Sequence, residues 1–126
     1  MAKLIFNYPF MMREYPLTKD RITVGRLKEH DIIIPDYRVF RSLNVEIQRQ
    51  LVKTLAKVSR FHARLDRING IYHVVDVGTG GAGSSYGTYV NGLRLETGKP
   101  YLLKSGDRIR FGPIECTFEE EKDEKS

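Results

Sequence analysis

Gly78, Gly80 and Gly83 stand at G-x-G-x-x-G spacing behind an apolar run, and residues 78–85 nearly spell G-x-x-x-x-G-K-[ST]. The first chemistry the sequence suggests is therefore capture of a nucleotide phosphate. A dinucleotide fold needs a helix directly after the glycines, because the helix N-terminus supplies the amides and the partial positive charge that hold a pyrophosphate. Here the sequel from Tyr86 to Gly92 is aromatic and β-branched and closes on Asn-Gly, which reads as a strand and a turn. The P-loop version lacks its lysine, since Ser84 stands in that place. Ser59 and His62, three residues apart, could open a catalytic triad, but on a strand beginning near Phe61 the histidine reads more simply as an orienting or core group. His30, His62 and His73 lack zinc-site spacing, and Asp31 with Asp36 lacks a calcium-loop pattern. No catalytic residue, metal or cofactor is expected, and the chain is not read as an enzyme.

The elements that would carry these residues are mostly short strands. Runs with strand character fall at 3–8, 21–25, 31–34, 61–67, 71–77, 86–90, 100–103, 108–111 and 114–119. Asn69-Gly70, Asn91-Gly92, Ser105-Gly106 and Gly112-Pro113 punctuate them, and Asn-Gly between two such runs marks a tight hairpin. Many short strands at close spacing predict an all-β, two-sheet antiparallel sandwich. One segment departs from that rhythm. Between Arg41 and Lys57 there is no Gly or Pro, and Leu43, Ile47, Leu51 and Leu55 recur every fourth residue, which predicts a helix over about 42–56. Ser42 or Asn44 would cap it, with Glu46 in its first turn and Arg49, Lys53 and Lys57 forming a basic stripe away from the core.

With 126 residues the chain has room for one domain, and no run approaches the roughly 18 apolar residues of a membrane span. The start, with one early lysine and an apolar run broken by Asn7, Tyr8 and Pro9, lacks a secretory-signal pattern, and the single Cys116 excludes an intrachain disulfide. A cytoplasmic location is expected. The net charge is +5, but residues 119–126 hold five acids and two lysines, so the body 1–118 is +8. A basic body attracts phosphate-bearing partners of any kind, whether nucleic acid, anionic lipid or phosphoprotein.

Three pieces in order narrow this choice. They are Gly25-Arg26, then Ser59-Arg60-Phe61-His62, then Ser84-Ser85-Tyr86-Gly87-Thr88 running on to Asn91-Gly92 and the stretch from Leu103 to Gly112. The set resembles the forkhead-associated (FHA) domain over nearly the whole chain. The resemblance implies an FHA/SMAD-like β-sandwich spanning 1–119, whose loops at one end bind a phosphothreonine peptide. Two stretches depart from the family pattern, a helical insertion at about 37–57 and a glycine-rich insertion at 79–83, and the charged composition of 120–126 predicts a disordered tail. Carried over residue by residue, Arg26 is the main phosphate ligand, Ser59 donates its hydroxyl and amide, Arg60 adds a second cation and Ser85 touches the phosphate. Gly25, His62, Gly87, Thr88, Asn91 and Gly92 support the binding loops. The chemistry suits a phosphate monoester, whose oxygens match a guanidinium fork and a hydroxyl.

Beside these insertions, one residue departs from the family pattern. Tyr86 stands where an asparagine commonly bonds the peptide backbone, and a phenol lacks carboxamide geometry. Lys57, at the end of the extra helix, is placed to favour an acidic residue downstream of the phosphothreonine. The implied function is a phosphothreonine-dependent interaction module in Ser/Thr kinase signalling. The alternative is a phospho-independent interaction or oligomerisation scaffold, supported by Tyr86 and the insertions. Nucleic acid is disfavoured because no aromatic stacking surface interleaved with basic residues is visible in the sequence, and no membrane role is expected.

Overall fold

A computed structural model of the chain describes residues 1–121. In chain order they form β1 (Ala2–Phe6), β2 (Glu14–Leu17), β3 (Arg21–Gly25), β4 (Ile32–Ile33), α1 (Tyr37–Phe40) and α2 (Val45–Leu55). There follow β5 (Ala63–Ile68), β6 (Ile71–Asp76), a 3-10 turn (Thr79–Gly81), β7 (Thr88–Val90), β8 (Leu93–Arg94), β9 (Tyr101–Leu102), β10 (Arg108–Phe111) and β11 (Ile114–Glu120). One sheet has the order β2-β1-β11-β10-β7-β8 and the other β4-β3-β5-β6-β9.

The sandwich follows from side-chain alternation. Leu4 and Phe6 of β1, Ile109 and Phe111 of β10, and Ile114, Cys116 and Phe118 of β11 point inward from the first sheet and are buried. Ile22 and Val24, Ala63 and Leu65, and Tyr72 and Val74 answer from β3, β5 and β6 of the second. Successive members of each set are two residues apart, so one face of each of these strands enters the core. Removing one of the large buried rings, such as Phe118, would cost about 3–5 kcal/mol. The β5–β6 hairpin turns at Asn69 and Gly70, whose φ values of 52° and 78° are those the tight turn requires, with Ile68 opposite Ile71.

Four features differ from the sequence reading. One pair, β3 with β4, is parallel rather than antiparallel, with Val24 beside Ile32 and Gly25 beside Ile33. Asp31 secures it by accepting from both the backbone N–H and the hydroxyl of Thr23. Strands β2 and β8 are absent from the sequence reading: Pro16 demotes the run that contains β2, where it is tolerated because β2 is a sheet edge, and β8 is only two residues long. The expected single helix is two. Asp36 caps α1, the chain breaks over 41–44, and Asn44 rather than Ser42 caps α2 by accepting from the Glu46 N–H at 2.8 Å. Of the four spaced apolar residues only Leu55 is fully buried; Leu43 and Leu51 are half-buried and Ile47 is 43% exposed, so α2 docks chiefly by its C-terminal end. Finally, Glu120 and Glu121, which the sequence reading places in a disordered tail at 120–126, are held: Glu120 belongs to β11, its N–H donates to the Ser105 hydroxyl, and the Glu121 N–H reaches the Met1 carbonyl. The rest of that expectation, 122–126, lies outside the described residues.

Candidate functional site

The end of β3, the start of β5 and the end of β6 lie at one end of their sheet by register, and the hydrogen bond from Thr88 to Asp76 brings the start of β7 in the other sheet to the same end. Three loops leave them: 26–31, 56–62 and 77–87. They are joined by backbone bonds rather than merely adjacent. The Arg26 and Leu27 N–H groups donate to the Ser59 and Arg60 carbonyls, and the Val77 and Gly78 N–H groups donate to the His62 carbonyl. A cleft of about 270 Å³ opens between the loops, lined by Arg26, Ala56, Ser59, Arg60, Thr79, Ser85 and Tyr86. Five of the six residues expected to contact a phosphopeptide share this cleft. The sixth, Lys57, adjoins it with its Nζ 5.6 Å from the centre of the Tyr86 ring.

Each side chain is held in a definite way. Arg26 Nε donates to the Val58 carbonyl at 2.6 Å, which fixes the guanidinium across the mouth of the 56–62 loop. The Ser59 hydroxyl accepts the Ser85 N–H at 3.1 Å, so the second and third loops meet at the cleft floor. Behind Ser59, fully buried His62 accepts the Ser59 N–H at Nδ1, 3.0 Å, and donates from Nε2 to the Gly87 carbonyl at 2.9 Å. One imidazole thus sets the spacing of two loops, and burial pushes its pKa below the ordinary value, keeping it the neutral tautomer this pattern needs. His62 therefore has its ring nitrogens engaged in structural bonds, away from any catalytic partner.

Gly25 is explained by close approach. A Cβ there would lie 2.2 Å from the Arg60 carbonyl oxygen and 2.7 Å from the His30 ring, whose Nε2 donates to that same carbonyl. Gly87 has a φ of 82° and its carbonyl receives both His62 and the Gly112 N–H.

Thr88 is turned inward, away from the cleft, and donates to Asp76 Oδ1 at 2.7 Å. This exposes a group that the sequence reading missed. Buried Asp76 also accepts the Ser84 hydroxyl and N–H and the Thr97 hydroxyl, binding the base of the 77–87 loop to β7 and to the segment before β9. Burial pushes its carboxyl upward, and the hydrogen bonds from Ser84, Thr88 and Thr97 outweigh this, so the pKa lies below the ordinary 3.8. The available signal was Asp76 itself, a charged residue ending an apolar strand. Asn91 and Gly92 are not brought to the cleft. They turn the chain at the far end of β7, where Asn91 donates to Asp107 and accepts the Arg108 N–H. The glycine run is a folded turn: the Gly83 N–H closes on the Val77 carbonyl, and the chain continues into a strand, not a helix.

No carboxylate is among the residues lining the cleft. Two arginines, two serine hydroxyls and an exposed tyrosine edge suit a small, multiply charged oxyanion. Among the described residues no helix is long and apolar enough to cross a membrane.

A two-sheet sandwich with a basic, hydroxyl-lined cleft formed by its end loops defines a class of binding domain, and the sequence matches one family of that class. The FHA domain model covers residues 22–112, and the chain belongs to that family. It is 36% identical over 111 residues to the protein FraH of Nostoc sp., covering 88% of this chain and 32% of that protein. It is 32% identical over 102 residues to the oxoglutarate dehydrogenase inhibitor of Corynebacterium diphtheriae, covering 81% of this chain and 52% of that one. The chain therefore spans about a third and about half of these two relatives. Among solved structures, the Slr1951 protein from Synechocystis sp. superposes with a TM-score of 0.69 at 26% identity, covering 97% of each chain. Mycobacterium tuberculosis EmbR, solved in complex with a low-affinity phosphopeptide, gives a TM-score of 0.64 at 28% identity, over 94% of this chain and 24% of that one.

Proposed function

We propose that this protein is a phosphothreonine-dependent peptide-binding module of Ser/Thr kinase signalling, non-catalytic and cytoplasmic. The observation that carries the reading is the convergence of Arg26, Arg60, Ser59 and Ser85 on one cleft without an opposing carboxylate. A phosphate monoester brings close to two negative charges and three acceptor oxygens at neutral pH. In this reading Arg26 meets two of those oxygens with its guanidinium edge and Ser59 supplies the hydroxyl. Arg60 neutralises the remaining charge, and Ser85 contacts the phosphate from the third loop. Tyr86 lies along the peptide beside the phosphothreonine, and Lys57 faces an acidic residue that follows it. Gly25, His62, Gly87 and Thr88 act indirectly, by holding the loops. The phosphopeptide complex of EmbR supports the assignment, since that chain shares the fold across nearly all of this one.

The test is a degenerate peptide library presented with phosphothreonine, phosphoserine or unmodified threonine at its fixed position. Retention of the phosphothreonine pool alone supports the module; equal retention of all three contradicts it.

A further inference from the structure

On the outer face of the second sheet, Arg21 and Arg64 both pair with Asp66, and Arg67 pairs with Asp20. The other ion pairs among the described residues engage Lys3, Lys19, Arg38, Arg49 and Lys99. Eleven of the 19 Lys and Arg among the described residues have no carboxylate within ion-pair distance, and Arg26, Lys57, Arg60, Arg94 and Arg110 are among them. Arg26, Lys57 and Arg60 belong to the cleft. Arg94 and Arg110 belong to the outer face of β7, β8 and β10, where they are left over.

There they are built around an aromatic ring. Thr88 and Val90 point into the core, so Tyr89 points out, and its cross-strand neighbours are Arg110 on β10 and Arg94 on β8. The Arg110 guanidinium carbon lies 3.8 Å from the centre of the Tyr89 ring and that of Arg94 lies 5.9 Å away. Stacking on a ring holds a guanidinium plane while leaving its N–H edges available to an oxyanion. Glu115, opposite Arg110 in the β10–β11 register, does not close an ion pair with it.

This array is continuous with the cleft. Arg94 lies against Gly87, where a Cβ would come within 2.9 Å of its Nε, and Gly87 directly follows Tyr86. On the other side Arg110 donates to the Gly112 carbonyl at 2.8 Å, and Gly112 lies against the backbone of Lys57. The path from the cleft is thus Lys57 and Tyr86, then Gly87 and Gly112, then Arg94, Tyr89 and Arg110.

We propose that Arg94, Tyr89 and Arg110 form a second subsite that takes an acidic stretch of the bound polypeptide flanking its phosphothreonine. The inference rests on the phosphothreonine reading, because it uses the cleft as the anchor of one end. A peptide is favoured over a nucleic acid because the array is one ring and two guanidinium groups with Glu115 beside them, too small and too mixed in charge to follow a phosphate backbone.

The test measures affinity, by calorimetry and in a Lys57→Ala background that removes that residue's own preference for an acid, for phosphothreonine peptides with a run of glutamates on the N-terminal side, on the C-terminal side, or replaced by alanines. The subsite predicts binding about tenfold tighter for one glutamate placement than for alanine, with the advantage shrinking as salt rises. Arg94→Ala, and Arg94→Ala with Arg110→Gln, should remove that advantage while leaving the alanine-flanked phosphopeptide bound as before. Equal affinity of all three peptides, or an advantage that survives both variants, overturns the subsite while leaving the phosphate cleft intact. Failure of every peptide, phosphorylated or not, overturns both readings. Displacement by a single-stranded oligonucleotide with no glutamate advantage assigns the array to nucleic acid instead and overturns the proposal.

Discussion

His62 accepts the backbone N–H of Ser59 on Nδ1 at 3.0 Å, from a position with no solvent exposure. The bond exists only while the imidazole is neutral, because a protonated ring has no acceptor. Burial lowers its pKa from the ordinary 6.5, outweighing the upward pull of the Gly87 carbonyl and of Asp76. Below that value the unfolded chain binds a proton that the native state excludes. The stability contribution is therefore complete above pH 6.5 and is lost as pH falls through that value toward the native pKa.

Urea titrations across this window should show stability falling from neutral pH toward mild acid. His62→Ala should cost about 3 kcal/mol at neutral pH and flatten that part of the profile, since the cavity and the two lost hydrogen bonds add. An unchanged slope in the variant would show that other groups carry the pH dependence.

Asp76 gives a second structural test. In Asp76→Asn the carbonyl oxygen can keep the Ser84 N–H and the Thr97 hydroxyl on the Oδ2 side, but the NH2 group on the Oδ1 side faces the Ser84 and Thr88 hydroxyls, which must both turn from donating to accepting and give up a charge-assisted bond. The expected loss is about 1–3 kcal/mol by chemical denaturation, from the lost charge-assisted bonds and the hydroxyl protons left to find new acceptors in a buried site. The 77–87 loop should also gain amide exchange.

These two residues show what the sequence could and could not yield. His62 was legible because it stands in a short motif with Ser59, three residues away. Asp76 was not, because its partners lie 8, 12 and 21 residues downstream and nothing local joins them. The strands were legible where burial alternates, as at 21–25 and 108–111, which match β3 and β10. The edge strand β2 was hidden by Pro16, and the break before α2 by Leu43, which continues the four-residue spacing although it precedes the helix. The cleft residues Arg26, Ser59, Arg60, Ser85 and Tyr86 were found through ordered motifs, whereas Ala56 and Thr79 join them only through folding. Asn91-Gly92 was read correctly as a turn after this strand, but its expected support of the binding loops does not match its place at the end of β7 away from the cleft, because local turn chemistry does not say where in a fold the turn will lie.

Gly25 tests the loop packing. Gly25→Ala places a methyl 2.2 Å from the Arg60 carbonyl oxygen, and a backbone atom cannot swing aside. We expect destabilisation of about 2–3 kcal/mol by thermal or urea unfolding. Because Arg60 and the adjacent Arg26 shift with the backbone, phosphopeptide affinity should drop under conditions where the variant is still folded.

Tyr86 is 51% exposed and its ring lies under Lys57, so replacing it disturbs little of the core. Tyr86→Asn introduces a donor and an acceptor able to bond a peptide backbone. Its unfolding midpoint should stay at the parent value, and its affinity for a phosphothreonine peptide should rise severalfold. Unaltered or weaker binding would mean that the tyrosine itself contacts the peptide productively.

The central claim is tested most directly by titrating one phosphothreonine peptide into the parent protein and into Arg26→Ala by calorimetry. Arg26 is a loop residue whose Nε bond to the Val58 carbonyl is only part-buried, so the variant should unfold within about 1 kcal/mol of the parent. Saturable binding by the parent that depends on the phosphate and vanishes in folded Arg26→Ala is the predicted result. Equal binding by both proteins, or equal binding of the unphosphorylated peptide, would contradict the account.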